Sequence, residues 1–188
     1  NVTIQQDLGT IVAPALTTPL IISGVVDGTN SGSEPKGIEL YAAKDIADLS
    51  TYTLIQDSGD DNTSISTKPL PSISVTKGEF IYVEDSTDDN LDALGFGDGS
   101  INGLLYDLTD DVFAVSTDGT LANSIDSFGS ADSTGNDTSI NFDGSIGVRD
   151  STSIIGRTDI DNATNFSKIA YTDSALQGSS GFGTYIPD

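Results

Sequence analysis

The stretch Leu20-Ile21-Ile22-Ser23-Gly24-Val25-Val26-Asp27, followed after a polar break by Gly37-Ile38-Glu39-Leu40-Tyr41-Ala42-Ala43, decides the fold class. Both pieces are short, rich in apolar and β-branched residues, and bounded by turn-forming residues. That pattern reads as buried strands, because an amphipathic helix needs a longer stretch of 3.6-residue periodicity. Asp27-Gly28 is a turn pair and predicts the end of the first strand. Glu39 lies inside the second run. A carboxylate buried there needs Lys36, Arg149 or backbone donors, and a structural ion pair is the expected role rather than catalysis.

Working outward, residues 1–19 read as an extended N-terminal arm. Val2, Ile4 and Leu8 roughly alternate, Ile11-Val12 follows, and Pro14 and Pro19 interrupt regular structure. Downstream, residues 45–49 suggest a single helical turn capped by Asp45. Strands are expected at 52–56, at 80–83 (approached through Ile73, Val75 and Lys77-Gly78), at 104–106 and at 112–115. Asp118-Gly119 then reads as a turn. Further strands are expected at 121–128 with Ile125 inward, at 146–149, at 153–155 and at 169–171. Acidic or Gly/Ser-rich loops separate them at 57–62, 84–98 and 129–145. Short strands at regular spacing, with no lasting helical periodicity and no internal repeat, predict an all-β sandwich or barrel formed by residues 20–188 as one domain.

Composition narrows the function. The 188 residues carry 7 Lys and Arg against 29 Asp and Glu, a formal charge of −22, and no Cys, His, Met or Trp. A Ser-His-Asp triad, a thiol nucleophile, a Cys/His zinc site and haem or iron–sulfur ligation are thereby excluded. Five Lys and two Arg make a nucleic-acid groove or an anionic-membrane surface an unsuitable partner. No apolar run reaches the ~20 residues of a membrane-spanning helix. The acids are 25 Asp to four Glu, and Ser plus Thr number 45. Asp favours turns and hard-cation coordination, which fits a loop-rich β protein in a salty or calcium-rich exterior. The start at Asn1, with no stretch like a signal peptide, suggests a removed leader or a piece of a longer protein.

The ordered series of motifs resembles the lamin tail domain family. The resemblance rests on residues 20–27, on Lys36-Gly37-Ile38-Glu39-Leu40-Tyr41, on the segment 45–52, on the turn-Gly-strand unit 75–83, on Ile125-Asp126-Ser127-Phe128-Gly129 and on Gly147-Val148-Arg149. It covers roughly residues 20–170. The chain departs from the family in lacking a late Trp, with Phe166 nearest. The resemblance implies an immunoglobulin-like β-sandwich in a secreted or cell-surface setting and implies no catalysis. In secreted bacterial proteins such domains accompany nucleases or phosphatases as accessory modules.

Calcium is the sharpest chemical expectation, since this cation takes six to eight oxygen ligands from carboxylates, amides and carbonyls. Four acidic loops are candidates. The leading one contains Asp85, Asp88, Asp89, Asn90 and Asp92. The others contain Asp57, Asp60 and Asp61; Asp107, Asp110 and Asp111; and Asp159 and Asp161. None has EF-hand spacing, and each is also readable as a solvated acidic loop. Cations would relieve the self-repulsion of so acidic a domain. Two cations, Arg149 and Arg157, make a poor phosphate clamp, and nothing selects a carboxylate pair for glycoside hydrolysis. Asn-x-Ser/Thr sequons at Asn1, Asn62, Asn136, Asn162 and Asn165 matter only in a glycosylating host.

The expected function is a non-catalytic extracellular structural or adhesive subunit, steadied by calcium. It would self-assemble into homo-oligomers or filaments through exchange of the N-terminal strand. A surface polysaccharide or matrix is the remaining partner class. The alternative is an accessory binding module of a larger secreted hydrolase.

Overall fold

The computed structural model describes residues 18–30, 34–58, 64–84, 90–96, 111–129, 142–150 and 166–186. Among these residues nine strands form two antiparallel sheets. They are β1 (Leu20–Asn30), β2 (Glu34–Ala42), β3 (Thr53–Asp57), β4 (Ile65–Pro69), β5 (Phe80–Glu84), β6 (Val112–Ser116), β7 (Ser124–Phe128), β8 (Ser145–Arg149) and β9 (Phe166–Ala170). One sheet runs β5-β2-β1-β8-β9 and the other β4-β3-β6-β7. The chain is an all-β sandwich, as its pattern of short apolar runs predicts. The described helices, α1 (Asn90–Ala93) and α2 (Asp173–Leu176), are four residues each.

The deciding stretch folds with an irregularity that its sequence conceals. Ile22 faces Leu40 across the β1–β2 ladder, and Gly24 faces Glu39, so Ser23 is an extra residue in β1. Such a bulge shifts the alternation of side chains by one. Leu20, Ile22 and Val25 therefore share the face turned to the other sheet, where they meet Leu54, Phe113, Val115 and Phe128. Ile21 and Val26 point the opposite way. That outer face is also covered. Leu91 of α1, Leu176 of α2, Phe182 and Tyr185 pack on it as a partial third layer. β1 is consequently buried on both faces, which is why its sequence is a continuous apolar run.

Several expectations need correction. Asp27-Gly28 is not a turn; β1 continues to Asn30, with Asp27 opposite Lys36 of β2 and Ser145 of β8. A Cβ on Gly28 would stand 1.8 Å from the Glu34 carbonyl oxygen, so the glycine permits close approach of two strands instead of a reversal. Ladder pairing on both sides overrides local turn preference. The helical turn expected at 45–49 is a 3-10 turn at Leu49–Thr51, capped by Asp48, whose carboxylate accepts from Ser50 N at 3.0 Å. Asp45 instead accepts from Lys77 N at 2.8 Å, beside the Ile46–Val75 bridge. Leu121–Asn123 is a 3-10 turn, and only Ser124–Phe128 is strand. β4 was not foreseen, because Ile65-Ser66-Thr67-Lys68-Pro69 is an edge strand with mostly exposed side chains and no apolar run. The strands expected at 104–106 and 153–155 lie outside the described residues. So do positions 1–17 of the arm; its end is fixed where Ala43 N donates to Pro19 O at 2.9 Å.

Gly37 tests the third layer. A Cβ there would lie 2.2 Å from Leu91 Cδ1. Alanine ordinarily suits a strand better than glycine. Here Gly37→Ala is expected to destabilise by about 1–3 kcal/mol through overpacking. Adding Leu91→Ala should cost less in that background than in the native one, measured by urea unfolding.

Candidate functional site at the acidic end of the sandwich

The strand ends converge on one end of the body. β3 finishes at Asp57, which faces Val112 at the start of β6, and Asp111 immediately precedes that residue. Phe128 at the end of β7 faces Phe113 and meets the Phe142 ring at 5.2 Å. Phe142 in turn lies against Gly147 of β8, which faces Val25 of β1. In the five-stranded sheet Asp27 lies opposite Lys36 and Ser145, and Glu84 lies opposite Gly37, so these two acids share one end of that sheet.

These carboxylates are not solvated decorations. Asp27, Asp57, Glu84 and Asp111 are 2, 0, 4 and 3% exposed. Gln56, also buried, donates from Nε2 to Asp111 Oδ2 at 2.5 Å and to Ser58 Oγ at 3.2 Å. Asp57 is a strand residue rather than a loop residue, a correction that follows from its place in the β3 ladder. Two candidate loops, 57–62 and 107–111, are joined here through their inner members. From the leading loop, Asn90 opens α1 and Asp92 lies within it. The Oδ1 atom of Asp92 is buried without a hydrogen-bond partner among the described residues. Asp60, Asp61, Asp85, Asp88, Asp89, Asp107, Asp110, Asp159 and Asp161 lie outside those residues. Among the described residues, no group of three acids stands in a metal-holding arrangement.

A second polar constellation links the two sheets. Arg149, the last residue of β8, bonds Asp126 of β7 through Nη2 at 2.6 Å, and both are buried. The pair also caps the backbone of β1. Ile22 N donates to Asp126 Oδ2 at 2.7 Å, and Arg149 Nε donates to Ile22 O at 2.7 Å. β8 pairs with β1 only over Gly24 to Asp27. Where that ladder stops, the side-chain pair takes over Ile22's donor and acceptor, which would otherwise be orphaned in the interior. The Arg149 guanidinium also sits 5.0 Å above the Phe166 ring. Burial pushes the Asp126 carboxyl up to about 6 against the opposing pull of Arg149 and of the amides that bond it. Arg149, one of the partners expected for Glu39, thus pairs with Asp126, for which the sequence predicts no polar role. A lone Asp between Ile125 and Phe128 in a strand was the available signal.

Glu39 is fully buried but pairs with no cation among the described residues. Ser23 Oγ donates to its Oε1 at 2.7 Å, and the Gly183 amide donates to its Oε2. Burial pushes the carboxyl up to about 7, with both hydrogen bonds acting in the opposite direction. Asp118 illustrates the exposed extreme. It holds its turn by accepting from Ser116, Thr120 and Asn123, which keep its carboxyl well below the ordinary range.

A cavity of about 340 Å³ lies between the β8–β9 surface and the C-terminal segment. Ser167, Ile169, Ser180, Thr184 and Tyr185 line it, beside Arg149. Its described lining carries hydroxyl and apolar groups, part of Arg149 and no carboxylate. No helix of the described residues is long and apolar enough to cross a membrane. Compared with known proteins, the chain matches no family model, no curated protein and no solved structure.

Proposed function

We propose that this chain is a non-catalytic, extracellular or cell-surface structural subunit with an immunoglobulin-like arrangement, in which calcium neutralises the acidic end of the sandwich. One observation carries the reading: Asp92 Oδ1 is buried with no hydrogen-bond partner among the described residues, in the loop richest in Asp. A buried carboxylate oxygen needs a donor or a cation. The chain's 7 cations cannot serve its 29 acids, and one of them, Arg149, is engaged by Asp126. Asp92 offers calcium one hard oxygen donor, and the Asp-rich stretch 85–92 supplies the residue types for the remaining ligands. Bound there, the ion would lower the self-repulsion of the domain. The likeness to lamin tail domains adds the surface setting. Assembly by exchange of the N-terminal strand would use a sheet edge such as β4, the outer described strand of its sheet, whose side chains are mostly exposed. An accessory module of a secreted hydrolase is the other reading, favoured by the cavity beside β9.

Thermal melts in calcium and in chelator test the metal. Extracellular calcium modules bind at ~0.1–1 mM. At 10 mM calcium the stabilisation is then about 1.4–2.7 kcal/mol, a Tm rise of roughly 5 °C for a chain of this size. Asp92→Asn should remove much of that rise. Identical melts in both buffers would eliminate calcium. Light scattering in the same buffers tests assembly separately, since a constant particle size would leave a calcium-bound monomer.

A further inference from the structure

The C-terminal segment lies across the outer face of the five-stranded sheet as a strap. α2 starts it, with Thr172 capping Ala175 N at 3.0 Å. Gln177 Nε2 then donates to Leu94 O at 2.8 Å, tying the strap to the segment after α1. Phe182 packs over Gly24 at the β1 bulge, where a Cβ would stand 2.8 Å from its ring. It also stacks on Tyr82 at 6.0 Å and meets Phe96 edge-on at 5.6 Å. Tyr185 meets Tyr41 edge-on at 5.2 Å. Between these two aromatic anchors the Gly183 amide bonds Glu39. Beyond them the strap stands off β8 and β9, leaving the 340 Å³ cavity, and Ile186 is 73% exposed. The strap is therefore fastened to β1 and β2 by its aromatic anchors and to β8 by Leu176, with the cavity beneath residues 180–186.

We propose that Glu39 is a proton-controlled latch for this strap: uncharged, it lets the strap close over the sheet, and charged, it favours release. The device needs no partner chain and is independent of the calcium reading. The reason is where water can reach. With the strap down, Glu39 is sealed under Phe182 and Gly183. Ser23 faces it from β1, Tyr82 faces it from β5, and Tyr41 and Tyr185 are the neighbouring phenols on the same side. Ile38 and Leu40 of its own strand turn into the sandwich core. No cation among those neighbours offsets an ionised carboxylate. Lifting the strap hydrates the charge, so ionisation and opening favour each other.

The direction follows by linkage. A carboxyl whose covered value is raised contributes stability that is complete below its uncovered value and is lost as pH rises through the covered one. With values of 4.5 uncovered and about 7 covered, opening becomes easier by about tenfold or more between pH 5.5 and pH 8. Opening would uncover Tyr41, Tyr82 and Phe96, the aromatic groups that Tyr185 and Phe182 now cover.

Amide NMR on the native chain tests the latch. The Gly183 proton shift should titrate near pH 7, and exchange protection at residues 181–185, normalised to amides of β3 and β6, should fall at least tenfold from pH 5.5 to pH 8. Glu39→Gln should retain the strap and abolish both pH dependences. Gly24→Ala, which places a Cβ 2.8 Å from the Phe182 ring and 3.3 Å from Glu39 Cβ while keeping the carboxyl, should lower strap protection at every pH and keep the pH dependence. A flat Gly183 shift across this range would overturn the proposal, as would a titrating shift with unchanged strap protection. An undiminished pH dependence in Glu39→Gln would overturn it too.

Discussion

Arg149→Ala is expected to be the most damaging single substitution, costing about 3–5 kcal/mol. It strips Asp126 of its cationic partner and leaves the Ile22 carbonyl without its donor. It also removes the guanidinium from the Phe166 face. At ~2–4 °C per kcal/mol for a chain of this length, Tm should fall by roughly 10 °C or more. The loss should depend on pH, with a definite sign. Burial already raises the Asp126 carboxyl to about 6, with Arg149 holding it down. Without the arginine it rises further, so the variant's folded state gives up more stability than the native one as pH climbs above 6. The penalty should be larger at pH 8 than at pH 5, read by urea unfolding at both. A uniform loss across pH would mean that the side chain contributes by packing alone. The double variant Asp126→Leu/Arg149→Met should cost less than the two single changes summed. It should not return to native stability, because the Ile22 N–H and C=O still lose both partners.

Phe128→Ala should come next, at about 3–5 kcal/mol, since a large fully buried ring leaves a cavity that rigid strands cannot close. Phe128 is 0% exposed. Its ring meets Phe166 at 5.0 Å and Phe142 at 5.2 Å, both edge-on. It therefore joins the four-stranded sheet to β9 and to the residue that leads into β8. The loss should be insensitive to pH, in contrast to Arg149→Ala, because the rings that Phe128 meets, Phe142 and Phe166, do not titrate. Phe128→Leu should recover roughly half of it. A loss below about 1 kcal/mol for the alanine variant would show that the two sheets are not held together at this point.

The two substitutions separate what each sheet contributes to the interior. Phe128 represents non-directional burial, which tolerates another apolar residue of similar size. Arg149 and Asp126 represent a directional arrangement fixed by the spot where one ladder ends. The same distinction explains the acids. Asp118 sits in a turn and satisfies itself locally with residues two to five positions away. Asp126 finds its partner 23 positions later in the chain. Only the first kind of partnership is visible to a reading of neighbouring residues.

The primary structure by itself determined the all-β class, since runs such as 20–26, 80–83 and 112–115 are too short and too apolar for helices. It also determined the charge balance, which restricts the partners, and it identified the Asp-rich segments. Tertiary pairing decided the rest. The Ser23 bulge, and with it the face to which Val25 and Val26 point, exists only because β2 pairs out of step with β1. Asp27-Gly28 became strand because neighbours on both sides claimed its backbone. Arg149 went to Asp126 and Glu39 to Ser23 and Gly183, because burial and reach, rather than separation along the chain, select the partner of a charged group.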